Sequence, residues 1–325
     1  MPTWTRAFGI IVLVLTLRSG DGASLAQEQD APSLNGRLLF HRYTSYDSYD
    51  SQLFLCDFQL KTLTCLSRLW PVDHAMNAHF SPDGQRIVFM ALPKGKRDGQ
   101  DWDVFCWKVG SAENPENLPE NLTGGNGLRN EDPSFAHDGK SIVFKQAGQI
   151  AFLDLGTKKV RQVQIEKTAE RSMPVLVSGD RRVVAMENAA ADGDLYVYDR
   201  DGTNRKAVAA EPKLQEYFPV PWDDARLLYV RWHAADNRND QIYVHDWKSG
   251  ENQALAFCKP DANYSDPYPV DRRWVFFSSN RETGAGGYDL YFGDSQTGAV
   301  HNLGIPNLNT TAEELGSSYL PRPTK

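Results

Sequence analysis

The chain has 325 residues, a formal net charge of −7 and a pI near 5.5. That balance excludes a nucleic-acid backbone as partner, because such proteins concentrate positive charge. There is no His-Glu-x-x-His, Cys-x-x-Cys, Walker phosphate loop or Gly-x-Ser-x-Gly elbow, which removes the commonest zinc, nucleotide and hydrolase chemistries; no cofactor is expected.

In chain order, Arg6, an apolar stretch from Ala7 to Leu17 and then Ser24-Leu25-Ala26 make the charged, apolar and small-residue pattern of a secretory signal peptide cleaved after Ala26. The apolar stretch is too short to span a bilayer. The first cysteine beyond it is Cys56, so no lipid-anchor cysteine stands at the junction. These features predict a periplasmic or secreted, soluble, monomeric protein without a membrane span. Residues 1–26 are the leader, 27–35 a short arm and 36–325 one folded body.

From there one phrase recurs with variations, clearest at Phe80-Ser-Pro-Asp-Gly-Gln-Arg-Ile-Val-Phe89 and Pro133-Ser-Phe-Ala-His-Asp-Gly-Lys-Ser-Ile-Val-Phe144. Its apolar run appears as Leu38-Leu39-Phe40, Ile87-Val88-Phe89, Ile142-Val143-Phe144, Val183-Val184-Ala185, Leu227-Leu228-Tyr229 and Trp274-Val275-Phe276. A partner run follows each, from Leu53-Phe54-Leu55 to Leu290-Tyr291-Phe292, at a repeat spacing of 41 to 55 residues. Short β-branched and aromatic runs bounded by Gly, Asp and Asn are strands. Four strands at this period describe a propeller blade.

The sequence therefore predicts an all-β fold, a single six-bladed β-propeller. Unit one lacks a first strand, and Glu314 to Pro321 has the composition of one, so residues 316–321 are expected to close the ring. Cys56 and Cys65 flank a hairpin in unit one, where one disulfide or two small buried residues are both open readings. Cys106 and Cys258 belong to opposite units, too far apart to bridge.

The repeats, together with Ser278-Ser-Asn-Arg281 and Gly287-Tyr-Asp-Leu-Tyr291, resemble the WD40-like PD40 repeats of the TolB family over residues 36 to 321. The resemblance implies a six-bladed propeller and a periplasmic role in protein contact. TolB carries an α/β domain before its propeller. Here about ten residues separate the leader from the first strand, so the expectation is a TolB-like propeller standing alone.

Two candidate sites follow from the topology. Loops between second and third strands are long at 43–51, 92–102, 233–240 and 278–289, and loops on a rigid scaffold are where binding usually resides. Tyr43, Tyr46, Tyr49, Trp102 and Trp232 are the expected aromatic anchors, with Arg97 and Arg281 as charged rim. The residues before the repeat prolines face the channel. Asp132 and Asp266 make one opposed pair, Asn77 and Glu216 a second. Such a rim suits a cation or the basic end of a partner; aspartates capping backbone amides are the alternative. His79, with His41 and His233, is the best available metal set. The expected function is a non-catalytic scaffold for a protein or cell-envelope partner, the alternative a metal-assisted propeller lyase or hydrolase acting on an acidic glycan.

Overall fold

The apolar runs pair with their neighbours in sequence. The computed structural model describes residues 33–97, 99–110, 114–166, 168–189, 192–233 and 239–322; the leader pattern lies outside them. Six four-stranded antiparallel sheets form, one per repeat. In blade 2 the order from the inner to the outer strand is Val72–Phe80, Arg86–Pro93, Asp103–Lys108 and Glu120–Asn121. The inner strands of blades 3 to 6 are Asn130–Phe135, Glu170–Val177, Leu214–Asp223 and Tyr264–Pro269.

Blade 1 is built from both ends of the described chain. Its strands run Glu313–Pro321, Gly36–Tyr43, Gln52–Asp57 and Thr62–Cys65. Gly36 stands opposite Pro321 and Tyr43 opposite Glu313. The closing strand expected from 316 begins three residues sooner. The cause is Glu314, which is fully buried and accepts from Arg42 Nε at 2.6 Å and from Thr310 Oγ1 at 2.7 Å. Those bonds fix the start of the strand against its partner.

Each blade buries both faces against its neighbours, so the core lies between sheets. Trp70, Phe89, Phe105 and Trp107 fill one layer; Phe257, Tyr264, Phe277 and Tyr291 fill another. The Asp-Gly turns behave as their chemistry dictates. Gly84 takes φ +66° and Asp83 Oδ1 accepts the Gln85 amide at 3.0 Å; Gly139 repeats this at φ +66°. Among the described residues no helix is long and apolar enough to cross a membrane.

All four cysteines are free thiols. The register explains why Cys56 and Cys65 do not meet: Cys56 lies opposite Leu63 and Cys65 opposite Phe54, two positions out of step.

Candidate functional site

Strands alternate in direction within a blade, so the loops joining second to third strands share one face with the loops that enter the inner strands. The 43–51 loop folds tightly. Ser48 N donates to Ser45 O at 3.1 Å, and Thr44 N donates to Asp50 Oδ1 at 3.1 Å. Its tyrosines gather around one imidazole. Relative to His74, ring centroids lie at 6.3 Å for Tyr43, 5.4 Å for Tyr46, 5.2 Å for Tyr49 and 5.5 Å for Trp102.

His74 is buried, and Ser51 N donates to its Nδ1 at 3.3 Å, which places the proton of the neutral ring on Nε2. That Nε2 has no hydrogen-bond partner, and burial lowers the pKa of the ring. Nothing in the sequence marked His74 as the hub, since the histidine and the tyrosines come from different blades.

This hub changes the role of Trp102. Expected as an exposed anchor, it is 2% exposed and packs against Met76, Met90 and Leu92, with Tyr43 and Tyr49 beside it. A large apolar ring beside an open cluster of methionines gains more by burial than by display. Tyr46 is 53% exposed and is the aromatic that remains on the surface. Its phenol pKa is raised by partial burial and then by Glu131 of blade 3.

Arg97 is exposed, with its guanidinium 5.9 Å from the Tyr49 ring. Arg281 is half-buried, 5.5 Å over Tyr291, and Trp232 is half-buried on the strand Arg226–His233. Residues 234–238 of the third loop, and Asp98 of the second, lie outside the described residues.

Around the channel the blades repeat one irregularity. Every inner strand carries a bulge with one left-handed residue: Asn77, Asp132, Met173, Phe218, Asp266 and Gly316, with φ between +49° and +71°. Asn and Asp tolerate this region and Gly prefers it; Met and Phe are strained there. The ring is stitched across blade boundaries. Asp132 Oδ2 accepts from the Met173 amide of blade 4 at 3.2 Å, and Asp266 Oδ2 from the Gly316 amide of blade 1 at 2.7 Å. Asn77 Nδ2 donates to Asp132 Oδ1 at 3.1 Å. The two aspartates thus cap amides of the next blade rather than of their own strand.

Glu216 is not part of this ring. The blade-5 residue equivalent to Asn77 is Phe218, and Glu216 lies two positions earlier, fully buried, with Arg231 Nε at 2.9 Å. Burial outweighs the arginine and pushes its carboxyl up to about 7. Phe218 stands directly before Pro219, as Asp132, Met173 and Asp266 stand before Pro133, Pro174 and Pro267, so the pre-proline position in blade 5 is filled by an aromatic and not by the acid.

The histidines do not converge. His79 lines the channel, where burial pushes it down to about 4. His41 is buried and pushed to about 3 by burial and by His74. Its Nδ1 would meet a Cβ at Gly316 at 2.3 Å. The side chain of His233 lies outside the described residues. Among the described residues no group of three His, Cys, Asp or Glu side chains is arranged to hold a metal ion.

A closed ring of six four-stranded sheets defines a six-bladed β-propeller. The solved TolB from Acinetobacter baumannii is similar to it, at 15% identity and a TM-score of 0.68, over 90% of this chain and 68% of that chain. A chain of a nidogen/laminin complex matches at 11% identity and a TM-score of 0.61, over 87% of this chain and 98% of that one. At these identities the likeness is one of fold. An oligogalacturonate lyase in complex with manganese matches at 14% identity, over 82% of this chain and 85% of that chain; its TM-score of 0.44 is too low to carry an argument. The sequence matches no protein-family model and no curated protein.

Proposed function

We propose that this chain is an exported, non-catalytic propeller scaffold that binds a protein or cell-envelope partner through its loop-rich face. The observation that carries the reading is the tyrosine loop, whose half-buried Tyr43 and Tyr49 brace it on His74 while Tyr46 stays exposed, with Arg97 over the Tyr49 ring. A braced loop presents its anchor with little ordering cost, which is the condition for an aromatic hot spot. The leader pattern supports export, and the TolB-like fold supports a contact role.

The alternative, metal-assisted cleavage of an acidic glycan, requires three converging ligands. The described residues bring together no such set. Among the described residues the channel wall carries Asp132 and Asp180 and no Lys or Arg. A photo-reactive amino acid placed at position 46 should cross-link to one envelope component, and the same group at position 201, on the opposite face, should not. Equal labelling from both positions would refute the assignment of the face.

A further inference from the structure

The central channel holds a chamber of about 320 Å³, walled by all six blades. That volume lies within the range of small-molecule clefts. It extends from the left-handed ring, at Asn77, Asp132, Met173 and Phe218, to the turns at Pro82 and His137. Pro82 and His137 are exposed, so the chamber opens on the face opposite the long loops.

Its wall is mostly apolar, with Phe80, Phe135, Val175, Leu176, Val220 and Leu320 among its residues. Set into this wall are two carboxylates, Asp132 inside and Asp180 at the opening, and among the described residues no Lys or Arg lines it. Asp132 Oδ1 accepts from Asn77 and Oδ2 from the Met173 amide. A carboxylate oxygen can accept twice, so each keeps a lone pair for a ligand. The cation that acts on its charge is Lys145, which is already shared between Glu131 at 2.9 Å and Glu170. A carboxylate on an apolar wall without its own counterion is costly to desolvate. A cation with an apolar body offsets that cost and covers the wall together.

We propose that this chamber binds a small apolar primary amine, its ammonium donating to Asp132 and its hydrocarbon body lying against Phe135, Val175 and Val220. Asp180 at the opening steers the cation inward. The site is separate from the loop-rich face, and its test does not depend on partner capture.

The test is calorimetric titration of the full chain at pH 7.5 with three near-isosteres: phenethylamine, 2-phenylethanol and phenylacetate. The amine should bind at least tenfold more tightly than the alcohol, and the acid should not bind. Equal affinity for amine and alcohol, or no binding of the amine at millimolar concentration, overturns the proposal. Asp132→Asn should erase the advantage of the amine and leave the alcohol unchanged. Because Asp132 also holds the Met173 amide, Val175→Trp serves as a second variant that fills the chamber without touching the carboxylate. It should abolish binding of both amine and alcohol while its melting curve stays cooperative. Amine binding undiminished in folded Val175→Trp would place the site elsewhere and sink the inference.

Discussion

Replacing Trp102 by alanine separates a buried brace from a surface anchor. The indole is 2% exposed and lies over Met76, Met90 and Leu92. Met90 and Leu92 belong to the strand Arg86–Pro93, which is paired on both sides, so the backbone beneath the lost ring cannot collapse into the space. Truncating a buried Trp under such constraint costs about 3–5 kcal/mol. For a domain of this size each kcal/mol lowers the melting temperature by about 2 °C, which gives a fall of about 6–10 °C. Tyr46→Ala is the control: at 53% exposure it should shift the melting temperature by no more than about 1 °C. The assay is thermal unfolding followed by near- and far-UV circular dichroism, with urea midpoints as the check if heating is irreversible. A Trp102→Ala protein that melts within about 1 °C of the parent would refute the packing argument.

Four further outcomes are expected. Tyr46→Ala should weaken partner capture by about 2 kcal/mol, and Asp201→Ala, in a turn on the other face, should leave capture unchanged. Gly316→Val should destabilise the ring by more than about 2 kcal/mol, since a left-handed residue would gain a branched Cβ in contact with His41; an unchanged urea midpoint would count against it. Thiol titration of the unfolded, unreduced protein should find four free thiols, and a count of two would restore the Cys56–Cys65 bridge. Burial and then Glu131 raise the Asp132 carboxyl from 3.8 to about 6, with Lys145 opposing, and His79, His137 and Asp180 line the same chamber. The folded carboxyl therefore holds its proton at higher pH than the unfolded one, so this group makes the fold lose stability as pH rises from about 4 to about 6. Amine affinity should run the other way, falling as pH drops below about 6; a profile flat from pH 7.5 to 5 would contradict the role given to Asp132.

The blades were legible because each strand declares itself locally. Ile87-Val88-Phe89 needs no knowledge of its partner to read as a buried strand, and Pro82-Asp83-Gly84 reads as a turn from its own chemistry. Ring closure was legible for a related reason, since unit one visibly lacks a strand that the tail supplies. Side-chain direction was not. Trp102 stands in a polar loop, and its burial depends on Met76 and Met90, which join it only when blade 2 folds. The placement of Glu216 failed because the pre-proline position of blade 5 is Phe218, and neither Met173 nor Phe218 advertises a left-handed backbone as Asp132 and Asp266 do. The His74 hub required blade 1 and blade 2 to be docked before it could be seen.

The pairing of Gly36–Tyr43 with Glu313–Pro321 also sets the timetable of folding. As the chain is made from its N-terminus, five blades can acquire their inner strands in turn. Blade 1 waits for the last segment to arrive. Until then Leu38, Leu39 and Phe40 sit on an open edge, and the longest loop in the molecule is still to be closed, each doubling of loop length adding about 0.6 kcal/mol of entropy. Pairing Glu313–Pro321 with Gly36–Tyr43 is thus the contact of longest sequence separation and the slow kind of step, and the half-finished ring is the species most prone to aggregate or to meet a protease. A single cut near residue 313 would return the finished molecule to that same vulnerable state.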